Sequence, residues 1–567
     1  MANIRTPKDY TKKVFRSVHN RSTIRRATLH AGIGVPIYSR RVMAGEKVFI
    51  DPVTVLQTNA LQAPLMGSFT LQLAVYFDSD SNYYGWMDNN ARLSTEQYLS
   101  RVRHSVPLHY ILGVGSSDKI KLQDYLKNVR SSEGSYFVKK HSLLEFAGYS
   151  AGTMVVEDDG RNPFPDYKMD LGFILTYLNI FRNYYCNNQE DNFPYIGSNL
   201  WSEKNPYKQG ELSVLDKLFK ELRFQDDGYD FANSPNSSAL PGMYWFKTQY
   251  LPSLANGFGG LWLATYKPDL MVNLLNSTNA VKSYVRVEDG QFTIDTLRFQ
   301  NKLQRLIDRI DVSGGRFSNW LRAVWGVKTR KDMDIPEMIG VTQKLIDPTE
   351  LSAKSNSPAV GDRDAQYLGD LGGNFNKTDG HRGHSFYAST SGRVMVIATI
   401  IPNVDYCQGI DWETEKVSFA DDYTPEFSQL GFQKVPVSRY SSLPFFAGGL
   451  SDPSFDPLST SVGKQVAWLE EMTDVNRNYG EFSWAGYYNY WVLNRLYSSE
   501  RPAKVPLIDP SAYNFDFQPF VTQYIDPLLY QYPFVAQSIK DPNWFLQCGL
   551  RIKSVRPIGK RFMPNLE

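Results

Sequence analysis

Cysteine is scarce in this chain. Cys186, Cys407 and Cys548 are the only three in 567 residues, far apart and with no CxxC pair. They cannot frame a small disulfide-stapled domain, so a reducing compartment is expected. Net charge is also nearly absent, because 61 Lys and Arg face 59 Asp and Glu, giving +2. That excludes a uniformly basic nucleic-acid coat but leaves room for local charge asymmetry. No window approaches the ~20 consecutive apolar residues of a membrane-spanning helix, so no membrane insertion is expected. The opening MANIRTPKDYTKK lacks the apolar core of a signal peptide, and a cytoplasmic site of synthesis is the expectation.

Motifs that carry chemistry are missing too. The GDLGG stretch, Gly369 to Gly373, has no following Lys-Ser/Thr and opens no helix, so it is not a phosphate loop. His381 and His384 stand three apart without a third ligand, which argues against zinc. The run Asp78-Ser79-Asp80-Ser81-Asn82 lacks the spaced ligands and glycine of a calcium loop and reads as a turn-rich loop. The expectation is therefore no catalytic residue, no metal, no cofactor and no enzyme.

What is present is a folded, aromatic-rich composition. Apolar residues make up 42% and charged residues 21%, which separates the chain from disordered proteins. Its 35 Tyr and 33 Phe favour strands and interfaces. Its 40 Gly and 31 Pro require frequent turns. The length permits several domains or one large β domain with long insertions.

The strongest segment is VMVIATIIPNVDYCQGID, Val394 to Asp411. Its apolar, β-branched start predicts a strand buried on both faces. Pro402 ends it for want of an N–H. Asn403 to Asp411 is then a polar exit, a subunit contact or structural turn. Phe69, Leu71, Leu73, Val75 and Phe77 alternate with Thr70, Gln72, Ala74 and Tyr76, predicting a strand with one buried face. Trp544, Leu546, Cys548, Leu550 and Ile552 share the face of another, with Cys548 acting as a small apolar residue. A basic tail, Lys553, Arg556, Lys560 and Arg561, follows. Helices are predicted at Tyr177 to Tyr185, Leu212 to Leu222 and Asp295 to Asp311. The last has an apolar stripe, Phe299, Leu303, Leu306, Ile307 and Ile310. Gly314 to Val327 reads as a compact aromatic turn and short helix. Residues 150–290 are insertion-rich, and 355–392 read as an exposed loop region.

Residues 1–41 carry ten Lys and Arg against Asp9 and show no apolar period. They read as a mobile or extended basic arm, with order beginning near Arg41 and the main domain spanning 42–567. Arg5, Lys8, Lys12, Lys13, Arg16, Arg21, Arg25 and Arg26 are the candidate DNA-facing residues, acting through phosphates without sequence preference. A solvated tail or a strap over a neighbouring subunit is the competing use of the same residues.

Several segments, in order, resemble the major capsid protein family of the Microviridae, small icosahedral single-stranded DNA bacteriophages. They are Arg40 to Phe77, YLNIFRNYY (Tyr177 to Tyr185), ATYKPDL (Ala264 to Leu270), LRFQNKLQRLIDRIDVSGGRFSNWLRAVWGV (Leu297 to Val327), Val394 to Asp411, NYGEFSW, and RIKSVRPI (Arg551 to Ile558). The RFQNKLQ and SGGRFSNWL pair with IIPNVDYCQGID is the specific part. Length and insertions look more like the gokushovirus-type and related gut-phage branches, and residues 150–290 depart most. The resemblance implies a mainly β chain built as a single eight-stranded jelly-roll barrel, two packed four-stranded sheets, with long insertions carrying short helices. It implies self-assembly into a T=1 shell around circular single-stranded DNA, formed in the host bacterial cytoplasm and residing in the virion. Implied partners are further copies of the chain, a DNA pilot protein, a small basic DNA-binding protein, an internal scaffolding protein and a host surface receptor. The rival reading is a β-sandwich carbohydrate-binding protein or glycosidase, which requires two carboxylates facing across a cleft. Glu470 and Glu471 are adjacent on a predicted helix and do not face each other.

Overall fold

In the computed structural model, the structure describes residues 14–93 apart from 33, 89 and 91, with 143–149, 168–185 apart from 171, 316–327 and 335–346. It also describes 376–380, 383–427, 432–439, 461–494 apart from 484–485, and 530–559 apart from 531 and 537–541, plus a few short pieces between these. Among the described residues two large antiparallel sheets form the body, beside four separate two-stranded pairs. The strands of the two large sheets are β1 (Ser17–Asn20), β2 (Thr23–Leu29), β3 (Val35–Val42), β4 (Lys47–Thr58), β5 (Phe69–Ser79), β6 (Glu337–Ile346), β7 (Asn376–Gly380), β8 (His384–Tyr387), β9 (Gly392–Pro402) and β10 (Trp544–Arg556). In the first sheet β10 pairs with β4; β1 and β2 line the far edge of β10, and β7 and β8 the far edge of β4. The second sheet runs β6–β5–β9–β3.

The interruptions in the first sheet have local causes. β1 and β2 keep one register on β10, from Ser17 opposite Arg556 to Leu29 opposite Trp544. Between them the Ile552 N–H is taken by the Ser22 hydroxyl at 3.1 Å instead of a backbone carbonyl. On the other edge β7 ends opposite Val53 and β8 begins opposite Ile50. The residues left uncovered there are Asp51 and Pro52, and Pro52 has no N–H to offer an outer strand.

The core forms where inward residues of the two sheets meet. Phe69 lies edge-on to Trp544 with ring centroids 4.8 Å apart, and Phe77 meets Phe386 at 5.2 Å. β4 and β10 alternate strictly, burying Val48, Ile50 and Leu56 with Trp544, Leu546, Cys548, Leu550 and Ile552. Cys548 is the buried thiol foreseen, and burial pushes its pKa up to about 12. β10 runs on through Lys553 to Arg556, so these two belong to the strand and not to a tail.

β9 is buried on both faces, as its composition predicted, and Pro402 is its last residue, opposite Phe69. β5 departs from its expected single buried face. Thr70 and Gln72 are half-buried, but from Leu73 onward both faces are covered. The cover is α1 (Gly172–Ile180) with the π-helical turn Phe181–Tyr185, where a helix was expected. α1 is apolar nearly all round and buried from Phe173 to Ile180, as a core helix must be. Tyr76 donates to the Tyr185 hydroxyl at 3.1 Å, Tyr177 to the Gly34 carbonyl at 2.8 Å, and Tyr184 to the Pro336 carbonyl at 2.6 Å.

Three further expectations change. The Asp78–Asn82 run, expected as a turn-rich loop, is only partly one: Asp78 and Ser79 end β5, and Asp80–Asn82 form a short 3-10 turn. Asp78 is buried and accepts hydrogen bonds from Asn82 Nδ2 at 2.7 Å and from the Tyr83 hydroxyl. Desolvation raises its pKa to about 7. In the region 355–392, residues 376–380 and 384–387 are strands on β4 because the edge of β4 needs partners. Order begins well before Arg41, since β1 and β2 satisfy the open edge of β10.

The polar exit after β9 is an internal tie. Asn403 donates its backbone N–H to Ser68 at 3.0 Å, Asp405 its N–H to Leu493 at 3.0 Å, and Asp411 pairs with Arg477 at 3.2 Å. These bonds join 403–439 to 461–494 as a lobe beside the sheets. The 317–325 segment is a short helix running into a π-helical turn, closed by Gly326 at φ 64°. Of the Asp295–Asp311 helix, Asn301 and Gln304 to Leu306 are described and helical. The Leu212–Leu222 helix, His381 and nearly all of 150–290 outside 168–185 lie outside the described residues.

Candidate nucleic-acid interface

Strict alternation in β4 and β10 sends every second residue away from the core. Because the register is known, those outward residues fall into rows. One row reads Tyr387, Lys47, Val555, Val18, and the next Ser385, Phe49, Lys553, Asn20. Arg551 stands opposite Asp51, 3.8 Å away. Farther along, Gly549 faces Ile24, Gln547 faces Arg26, and Phe545 faces Thr28. Lys47 Nζ lies 4.9 Å from the centre of the Phe49 ring, and Arg26 Nε donates to Gln547 Oε1 at 2.8 Å.

The face mixes exposed apolar groups with cations. Val18, Ile24, Phe49, Tyr387 and Phe545 are each 38% exposed or more. Lys47, Lys553, Arg551 and Arg26 stand among them, with Asp51 the opposing carboxylate in these rows. Flat rings spaced between cations on a sheet can stack unpaired bases while the cations meet phosphates.

The candidate DNA-facing residues divide. Arg26 is on this face. Arg25 is opposite Cys548 and turns inward at the sheet edge, where its Nε is buried without a hydrogen-bond partner among the described residues. Both line a cavity at that end of the sheet. Arg21 instead pairs with the fully buried Glu46 at 3.3 Å, and Arg556 meets the same carboxylate at 2.7 Å. Arg16 donates from Nε to the Gly45 carbonyl at 3.0 Å. Arg16 and Arg21 therefore hold the corner before β4. Arg5, Lys8, Lys12 and Lys13 lie outside the described residues.

Reading the N-terminal cations alone missed Lys47, Phe49, Tyr387 and Phe545, and took Lys553 for a tail residue. Phe49 and Lys47 were legible as the positions off the apolar stripe of β4, and Phe545 and Lys553 as those off the stripe of β10. Tyr387 was not, since β8 is only four residues long.

The lobe has the opposite character. Residues 403–439 and 461–494 hold eleven Asp and Glu against five Lys and Arg. Val417 and Phe419 are almost fully exposed, as is much of Tyr479. Glu470 accepts from Gln433 and Gln465 and forms an ion pair with Arg439 at 3.3 Å, while Glu471 pairs with Lys416 at 2.7 Å. Both carboxylates are thus engaged in holding the lobe together. Among the described residues no three His, Cys, Asp or Glu gather as a metal site, and no helix is long and apolar enough to cross a membrane. No protein-family model matches this chain, and no curated protein matches it.

Proposed function

We propose that the chain is the structural subunit of a closed icosahedral shell enclosing circular single-stranded DNA, and that its two sheets form a jelly-roll barrel. The observation that carries this reading is the strand order. If β1 with β2, and β7 with β8, are each counted as one interrupted strand, the sheets hold four strands each. In chain order they alternate between the sheets except at β5 and β6, which follow one another in the second, as the two Greek keys of a jelly roll require; the last strand lies between the first and the third. The fold alone does not name a function. The basic, aromatic sheet face supports the nucleic-acid part. The acidic lobe with its bare Val417, Phe419 and Tyr479 supports contact with further copies, since exposed apolar groups of this kind mark interaction surfaces. Modest contacts repeated by closed symmetry suffice to hold a shell.

On this reading the protein resides in the virion, with packaged DNA, minor virion proteins and a scaffolding protein as its further partners. The test is to express the chain with those proteins and view the product by electron microscopy. Uniform shells holding nuclease-protected circular single-stranded DNA are the expected result. Monomers that bind glycans instead would overturn it in favour of the carbohydrate reading.

A further inference from the structure

At the Arg26 end the basic sheet face borders a cavity of about 700 Å³, a size suited to a small ligand. Its walls come from both sheets and from the short helix Leu143–Ala147. Three of the lining residues are arginines, Arg25 and Arg26 from β2 and Arg40 from β3, and one is a carboxylate, Glu145. The wall is therefore a net cation. Arg25 brings a buried Nε–H with no acceptor among the described residues, a group whose desolvation is offset when a ligand supplies one. Tyr38, in the same wall, lies within the fields of both Arg40 and Arg25. Phe545 lines the cavity and is also partly exposed on the sheet face, so a ring bridges the two.

We infer that this cavity binds a phosphate-bearing nucleotide, its phosphate on Arg25 and Arg40 and its base against Phe545. Arginine suits the task because its planar fork matches phosphate oxygens. The inference rests on the reading of the sheet face as a DNA surface and adds a discrete subsite to it. A free nucleotide and a nucleotide within a strand present the same phosphate, and the test separates them.

The full-length chain is titrated with dTMP, thymidine, the tetranucleotide dT4 and the thirty-residue dT30, each followed by calorimetry or anisotropy. Binding of dT4, competed by dTMP and not by thymidine, is expected. Arg40→Gln and Arg25→Gln should each weaken dT4 by tenfold or more, with Arg40→Lys in between and near-ultraviolet circular dichroism unchanged. Binding of dTMP alone, lost in Arg40→Gln, supports the cavity with a free nucleotide as its ligand. If dT30 binds but neither dT4 nor dTMP does, or if both glutamine variants bind them like the parent, the cavity inference is overturned while the DNA reading stands. If dT30 also fails to bind, both are overturned.

Discussion

Arg556, near the end of the last strand, places its Nε 2.7 Å from the carboxylate of Glu46, in the turn before β4. Glu46 has no exposed side-chain surface, and Arg21 approaches the same oxygen at 3.3 Å. The Met43 N–H adds a bond at 3.0 Å to the other oxygen. A buried charge is tolerated only when partnered this fully, and removing one side strands the other. Glu46→Ala should therefore cost about 3–5 kcal/mol, seen as a lower urea midpoint at unchanged slope. A loss of only a few tenths would mean that Arg21 and Arg556 find water easily.

Asp78 gives a pH dependence with a defined sign. Its folded pKa, about 7, lies above the ordinary 3.8 because burial penalises the charged form. Between those values the folded state holds a proton that the unfolded state releases. Stability from this group is thus full below about pH 4, falls as pH rises towards 7, and stays low above it. Asp78→Asn should be more stable than the parent at pH 8, and the advantage should shrink towards pH 5. Thermal melts of both proteins across that range check it; parallel curves would show that Asp78 titrates normally.

The sheet face predicts two separable effects on single-stranded DNA. Lys47→Ala and Lys553→Ala should each flatten the salt dependence of binding, by about 0.7 in the log–log slope per lost phosphate contact. Phe49→Ala and Phe545→Ala should weaken binding by about 1–3 kcal/mol per unstacked base with the slope unchanged. Anisotropy titrations at several salt concentrations distinguish them. Equal effects from Lys464→Ala, in the acidic lobe, would count against the assignment.

Phe419 and Val417 on the lobe should matter for assembly and little for folding. Phe419→Ser is expected to leave the melting temperature nearly unchanged, because the side chain is 96% exposed. Particle yield on a sucrose gradient should drop. A normal yield would count against a role of this patch in assembly.

Cys548 should be inert. Its thiol is buried in the core, and desolvation holds its pKa near 12, so almost no thiolate forms at neutral pH. Native protein should resist maleimide at this position, with labelling appearing only as denaturant unfolds the chain; rapid native labelling would contradict the packing around β10.

By itself the sequence determined the strands whose periodicity is local. β5, β9 and β10 follow from alternation or from a β-branched run, and Pro402 marks the end of β9 because its ring leaves no N–H. It also determined that the start of the chain is basic, and that Cys548 is a core residue. Only the tertiary structure decided what covers each face and each edge. α1, from the long segment between β5 and β6, buries the second face of β5; β1 and β2 occupy an edge of β10; and Arg21 goes to Glu46 instead of to solvent. These outcomes depend on pairs such as Glu46 and Arg556, 510 positions apart. A period of two records which side of a strand is apolar, but carries no information on which distant segment will meet it. The basic face has the same origin: its cations and rings are scattered through four strands, and only their shared register brings them into rows.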